Sequence, residues 1–362
     1  MKLSLALVGL LASSAFAGTA ELDRASVIYV RGTTLYRSDG RGKNESELAA
    51  LPAKATVRAL RTDAAGTVLL ADLAGKWSWM PLDGSAKTLA ELPCGDGPAS
   101  LQDDGSAVVC RAKQGTGSVV IQLKSGKQTA VAVPAAGARL FGTATARKLV
   151  WADKTGIWGA PPEELAKKTQ LAPEAPLRSF VPSLDGTRAV GVYNDYIFEG
   201  RKKVPAEVLV TFALDGKGAR RKGIRHGVPL DWSHDNQYVL VQEGAKACLM
   251  RANGGQYKCW RGFTAVSLAP DGSYALVLGG SRPSAPPKKQ KPAKRPAPKP
   301  GDEPQNEPED PGSEDPADDD VAVAPPSGPL SLYRAKLDGP YDTPPELVTK
   351  NVDGAAVWVP GK

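Results

Sequence analysis

Short apolar runs, each closed by a polar turn, recur along this chain. The copies read VRALRTDAAGTVLLA from Val57, PASLQDDGSAVVC from Pro98, LRSFVPSLDGTRAVGVY from Leu177, VPLDWSHDNQYVLV from Val228 and TAVSLAPDGSYALVL from Thr264. A degenerate copy, ARLFGTATARKLVWA, starts at Ala138. Each is an apolar strand, a turn near Asp-Gly and a second apolar strand. The spacing is about forty residues, the length of one four-stranded propeller blade.

A second mark follows one hairpin later, with LYRSDG ending at Gly40, WMPLDG at Gly84, QLKSG at Gly126, FALDG at Gly216 and AKLDG at Gly339. Each places a glycine where a hairpin turn needs positive φ. The fourth repeat lacks this turn and reads GAPPEELAKK around Pro161. AAVWVPGK at the C-terminus matches the first strand of a repeat and SVIYV from Ser26 the second, so one blade is assembled from both ends of the chain. This closure removes free sheet edges. Counting inner strands from Val57, Pro98, Ala138, Leu177, Val228, Thr264 and Ala355 predicts an all-β, seven-bladed β-propeller, with six or eight blades if one copy is miscounted.

The turns Ala269-Pro270-Asp271-Gly272 and Trp232-Ser233-His234-Asp235-Asn236 resemble the W-S-P-D-G signature of TolB-like propellers, the WD40-like repeat of the bacterial envelope. The resemblance extends over nearly all of the chain beyond its leader and implies a propeller used as a binding platform. TolB proper carries an α/β domain ahead of its propeller, and the likeness here is to the propeller.

The N-terminus has the three parts of a secretory signal: Lys2, an apolar stretch from Leu3 to Leu11, and the A-x-A site Ala15-Phe16-Ala17. Residues 1–17 are therefore expected to be removed, with the chain destined for the periplasm or the exterior. No later stretch reaches the about 20 apolar residues of a transmembrane helix. The four cysteines fit an oxidising compartment. Cys248 and Cys259 lie symmetrically about Asn253-Gly254, which sets them opposite each other in a hairpin with Cα atoms about 5.5 Å apart. Cys94 and Cys110 flank a second strand–turn–strand and are paired likewise.

Residues 282–329 interrupt the repeats. They are dense in proline and nearly devoid of large apolar side chains, basic from Lys288 to Lys299 and acidic from Asp302 to Asp320. Such a segment cannot bury enough surface to offset its ordering entropy, and disorder is expected. The remainder, 330–362, completes the last blade of a propeller that otherwise spans 18–281.

In a four-stranded blade the connections from second to third strand share one face with the connections between blades. Two of the former are long, the 282–329 insert and NDYIFEGRKKVPA from Asn194, and insertions concentrated on one face mark a binding face. The candidate binding residues are Tyr196, Phe198, Arg201, Lys202 and Lys203 there, with Arg225, His226, Arg261 and Phe263 in between-blade loops. Aromatic and basic groups together suit a protein or an anionic envelope polymer. The net charge of +7 agrees with an anionic partner, though export argues against nucleic acid.

Candidate chemistry is sparse. His226 and His234 bracket one strand and stand about 26 Å apart, too far to share a metal ion. No G-x-S-x-G elbow occurs. Asp96, Glu174 and Asp353 fall near the ring's mouth, but loop carboxylates are usually only solvated. Trp77, Trp79, Trp151 and Trp158 sit at strand alternation and read as blade packing. Asn44-Glu45-Ser46 matches a glycosylation sequon. No catalytic residue, metal or cofactor is assigned. The expectation is an exported, non-enzymatic binding module. The alternative is a lyase or hydrolase acting on an anionic polysaccharide in the funnel.

Overall fold

The structure is a computed structural model and describes residues 24–280 and 330–361, apart from 135–137, 144, 200, 218–219, 226, 234, 339 and 341–342. The expected signal segment, the whole of the charged insert, His226 and His234 lie outside the described residues.

Seven four-stranded antiparallel sheets form the molecule. Blade 1 combines Ala356–Val359 with Ser26–Arg31, Thr34–Asp39 and Ser46–Ala50. Blade 2 holds Val57–Thr62, Val68–Leu73, Lys76–Pro81 and Ala90–Glu91; blade 3 holds Cys94–Leu101, Ala107–Ala112, Ser118–Gln122 and Gln128–Val131. Blade 4 runs from Arg139–Thr143 through Ala146–Asp153 and Gly156–Ala160 to Thr169–Ala172. Blade 5 comprises Arg178–Pro182, Arg188–Glu199, Lys202–Ala213 and Arg220–Arg225. Blade 6 comprises Val228–Trp232, Tyr238–Glu243, Lys246–Arg251 and Gln256–Arg261. Blade 7 takes Phe263–Leu268, Tyr274–Gly279, Leu330–Lys336 and Glu346–Val352. The protein is a seven-bladed β-propeller.

The second strand of each blade reads as a continuous apolar run because both of its faces are covered. In Val68–Leu73, Leu69 and Ala71 pack toward blade 1 while Val68 and Leu70 pack toward blade 3. The same alternation repeats around the ring, giving seven apolar clusters, each shared by two adjacent blades. The cluster between blades 7 and 1 joins Tyr274 and Leu276 to Tyr29 and Trp358.

The first-to-second turns share one local chemistry. The residue ending each turn donates its amide to the carbonyl three residues back: Gly66 to Asp63, Gly105 to Gln102, Gly186 to Ser183, Asn236 to Ser233 and Gly272 to Ala269. All five have positive φ, between 54° and 70°. Glycine adopts this conformation without steric cost, and asparagine tolerates it. The preceding aspartate accepts the next free amide, as in Thr187 N to Asp185 Oδ1 at 3.0 Å and Ser273 N to Asp271 Oδ1 at 2.9 Å. An aspartate bonding the backbone two residues on builds the turn from its own side chain, which is why Asp-Gly recurs at these turns in blades 3, 5 and 7. In blade 4, where the second glycine mark is missing, a 3-10 turn at Leu165–Lys167 connects the last two strands.

The ring closes as expected, with Ser26 opposite Val359, Val27 opposite Trp358, Ile28 opposite Val357 and Tyr29 opposite Ala356. Gly279 pairs with Ser331, so the chain ends flanking the insert meet within one sheet. Among the described residues no helix is long and apolar enough to cross a membrane.

Both expected disulfides are present, Cys94–Cys110 and Cys248–Cys259. Cys248 and Cys259 are opposite partners as counted, but their Cα atoms are 4.1 Å apart rather than about 5.5 Å. A register shift beside them, between Leu249 and Met250, breaks the even count from the turn.

Candidate functional site

Most of the innermost strands that line the ring's centre are not regular. The pairing register shifts between Val57 and Ala59, Cys94 and Ala99, Arg178 and Val181, Pro229 and Asp231, and Ala265 and Ser267. A bulge bends its strand and re-aims side chains. In Val57–Thr62 it brings Arg58 and Arg61, three residues apart, onto the channel side, where strict alternation would oppose them. The strands enclose a central cavity of about 790 Å³. A side cleft of about 420 Å³ between blades 2 and 3 shares Arg58, Arg61 and Pro98 with it. Trp77 walls that cleft, its indole donating to Gly97 O at 2.7 Å, and the Arg61 guanidinium lies 5.9 Å from its ring centre.

Charges in the cavity differ in how they are matched. Arg139 reaches Asp103 at 3.4 Å and the Pro182 carbonyl at 3.4 Å. Arg178 pairs with Glu207. Asp63 is used by its own turn, accepting from the Thr67 amide, the Thr67 hydroxyl and the Val68 amide. Arg58 and Arg61 form no ion pair with any described residue. Enclosure inside the ring holds the Arg61 guanidinium below its ordinary pKa; Asp231 opposes that shift, Arg139 adds to it and Asp72 opposes it. Its side chain is nonetheless open to the channel.

A second feature stands on the face of the between-blade connections. The segment from Asn194, read as a loop, is instead the end of a β-ribbon. Arg188–Glu199 and Lys202–Ala213 pair along their whole length, whereas the flanking strands of blade 5 reach only to Val192 on one side and Val208 on the other. Asn194 to Glu199 therefore projects as two strands, about 20 Å at 3.3 Å per residue. The sequence YIF opposite KVP favours strand pairing over a loop, because aromatic and β-branched residues fit a pleated ribbon.

The expected binding residues separate on this scaffold. Tyr196 is half-buried on the ribbon, with Lys203 Nζ 3.4 Å from its ring centre. The two are diagonal neighbours, since Tyr196 pairs with Pro205. Arg201, Lys202 and Lys203 are exposed at the tip, and Phe198 lies in the ribbon opposite Lys203. Arg225 is not in a loop but ends the outermost strand of blade 5, opposite Val208. Arg261 likewise ends a strand, opposite Lys246, and is exposed. Phe263 is a core residue: it is 3 % exposed and meets Tyr333 edge-on at 5.3 Å. An apolar residue opening an innermost strand packs between blades, which removes it from any binding surface.

The three carboxylates near the mouth belong to separate parts of the ring. Asp96 lines the side cleft, Asp353 accepts from the Gly32 amide at 2.5 Å, and the Glu174 carbonyl accepts from Tyr193 at 3.3 Å. Trp77 and Trp151 are buried blade packing, as expected. Arg58, Arg61, Leu177 and Leu230 were not singled out from sequence, because their convergence depends on the bulges and on ring closure.

No family model matches the chain, and no curated protein matches it. Solved structures similar to it include apo AztD from Citrobacter koseri, 10% identical, covering 94% of this chain and 98% of that one with a TM-score of 0.48. The dihydro-heme d1 dehydrogenase NirN is 12% identical, covering 93% of this chain and 75% of that one, with a TM-score of 0.47. TolB from Acinetobacter baumannii is 12% identical over 64% of this chain and 61% of its own, with a TM-score of 0.43.

Proposed function

We propose that this protein is an exported, TolB-like binding propeller that engages an anionic partner, a protein or an envelope polymer, through the face bearing the blade 5 ribbon. The ribbon carries the reading. It projects beyond its sheet, and its tip presents Arg201, Lys202 and Lys203 to solvent beside Tyr196. An isolated two-stranded ribbon is marginally stable in water, so a projection of this length is ordered at a cost that a docking surface explains. Unpaired strand edges also invite another chain, and lysines at the tip restrict that to partners of opposite charge. Export is supported by the two disulfides, which persist in oxidising compartments, and by the leader-like N-terminus.

Asn194 and Glu207 face each other at the ribbon's base, so 195–206 can be replaced by a two-residue Asn-Gly turn that keeps the Glu207–Arg178 ion pair of blade 5. Affinity capture from envelope extract, with the tagged protein as bait, should recover a partner with the intact chain and lose it with the shortened one. Capture should also fall with added salt, since exposed charges are screened within about 8 Å at physiological ionic strength. Equal capture by both baits would overturn the assignment of the ribbon.

A further inference from the structure

Leaving a guanidinium inside a protein without a carboxylate is costly. Arginine does not shed its proton, so it needs either a partner or open water. Arg61 has water through the channel, yet protein encloses it and Arg139 adds a like charge. The carboxylates acting on it are partly engaged elsewhere. Asp72 accepts the Gly75 amide at 2.6 Å and Asp231 accepts the Trp232 amide at 2.9 Å. Arg31, Arg139, Arg178 and Arg334, by contrast, each hold an acid within ion-pair range. Arg58, on the same bulged strand, faces both the cavity and the side cleft, where Asp72 and Asp96 also stand, and like Arg61 it holds no described acid within ion-pair range. The blade 2 wall thus presents two guanidinium forks that no described carboxylate holds in an ion pair, a geometry suited to a planar anion.

The opposite wall has the other character. Exposed large apolar side chains among the described residues are Leu177, Val228, Leu230 and Leu347. Leu177 and Leu230 line the central cavity, from the start of the innermost strands of blades 5 and 6, and Val228 opens the same strand as Leu230. In a ring of seven, blades 5 and 6 lie across from blade 2. Leucines held open to water at 54% and 36% cost hydration free energy that an apolar ligand would recover. The cavity volume is within the range of small-molecule sites, about 300–1,000 Å³.

We propose that the central cavity binds a small amphipathic anion, its acidic head on Arg58 and Arg61 and its apolar body against Leu177 and Leu230. This site is separate from the ribbon and does not depend on it.

The test is isothermal titration of the folded protein with octanoate, octanol and acetate. Octanoate should bind at least about tenfold more tightly than either of the others, because only it satisfies both walls. Arg61→Gln and Arg58→Gln should each weaken octanoate by about tenfold or more, and Leu230→Ser should weaken octanoate while leaving acetate unchanged. Arg61→Gln should keep or raise the melting temperature, since a cation held in no ion pair and crowded by Arg139 adds little to stability. Octanol binding as well as octanoate would reduce the site to an apolar sink, and acetate binding as well would reduce it to exposed charge. Either result, no measurable octanoate binding, octanoate binding unchanged in both arginine variants, or a collapsed melting temperature in Arg61→Gln overturns the proposal.

Discussion

Trp358 is the side chain on which ring closure rests most heavily. It is 2 % exposed, lies in the strand that completes blade 1, and packs on Tyr274 at 6.5 Å within the cluster joining blades 7 and 1. A buried tryptophan removes about 150–250 Å² from water, worth about 4–6 kcal/mol at 25 cal/mol/Å². Its indole N–H is buried without a hydrogen-bond partner, which takes back about 1–3 kcal/mol. The difference, about 1–5 kcal/mol, together with the cavity left behind puts Trp358→Ala at about 3–5 kcal/mol, the usual range for such truncations. That is a large share of a typical unfolding free energy of about 5–15 kcal/mol. At about 2–4 °C per kcal/mol, the melting temperature should fall by about 6–20 °C. Trp358→Phe, which gives up the orphan N–H along with some area, should retain more than half of the stability. Urea unfolding followed by circular dichroism measures all three proteins. A loss below about 1 kcal/mol for Trp358→Ala would show that the last strand is peripheral, and the closure argument would fail.

Other tests address the turns, two linked ionisable groups and the insert. Gly42 has φ +76° and a Cβ there would stand 2.1 Å from the Val348 carbonyl oxygen, whereas Gly84 has φ +87° and open space. Gly42→Ala should destabilise strongly, and Gly84→Ala by only about 1–2 kcal/mol, the cost of left-handed backbone alone. Burial, with the Glu45 hydrogen bond second, pushes the Tyr29 phenol up to about 12. Its folded value lies above its unfolded one, so the stability it contributes is complete below about pH 10 and disappears as pH rises toward 12. Hydrogen bonds from Arg31 and then Tyr29 hold the Glu45 carboxyl below its ordinary value, so its contribution is present above the usual carboxylate range and lost as pH falls through the folded value. Melting temperature against pH should show both limbs; Tyr29→Phe should flatten the alkaline one and Glu45→Gln the acid one. Deleting 283–326 with a short Gly/Ser bridge should leave the melting temperature within a few degrees, because Gly279 and Ser331 already pair and loop shortening changes closure entropy only slowly. A large drop would place the insert in packing contact with the ring.

What could be read in advance followed from local chemistry. Asp185-Gly186 and Asp271-Gly272 announce their turns because the aspartate bonds the next amide and the glycine accepts positive φ. The pairing of Val357 with Ile28 could be read because an orphan first strand and an orphan second strand stood at opposite ends. Reading failed where one residue more or less in a strand decides direction. Period-two alternation puts Arg58 and Arg61 on opposite faces, and only the bulge reunites them. The ribbon was missed because GRK dominates its centre, although the flanking YIF and KVP segments pair residue for residue. Phe263 was misplaced because it follows Gly262 at the end of a connection, one position before burial begins.

Joining blade 1 from both ends of the chain has a consequence for how the protein comes into being. Each neighbouring pair of blades can bury its shared cluster as soon as both are made, but Val27 and Tyr29 have a strand on one side only, Thr34–Asp39, until Ala356–Val359 arrives. During synthesis the ring is an open arc with two adhesive edges, one near each end, and any other arc in the same state is a ready partner. Shutting the circle needs the last strand in the chain, and until it arrives self-association can compete. A chain released whole meets its own missing strand first.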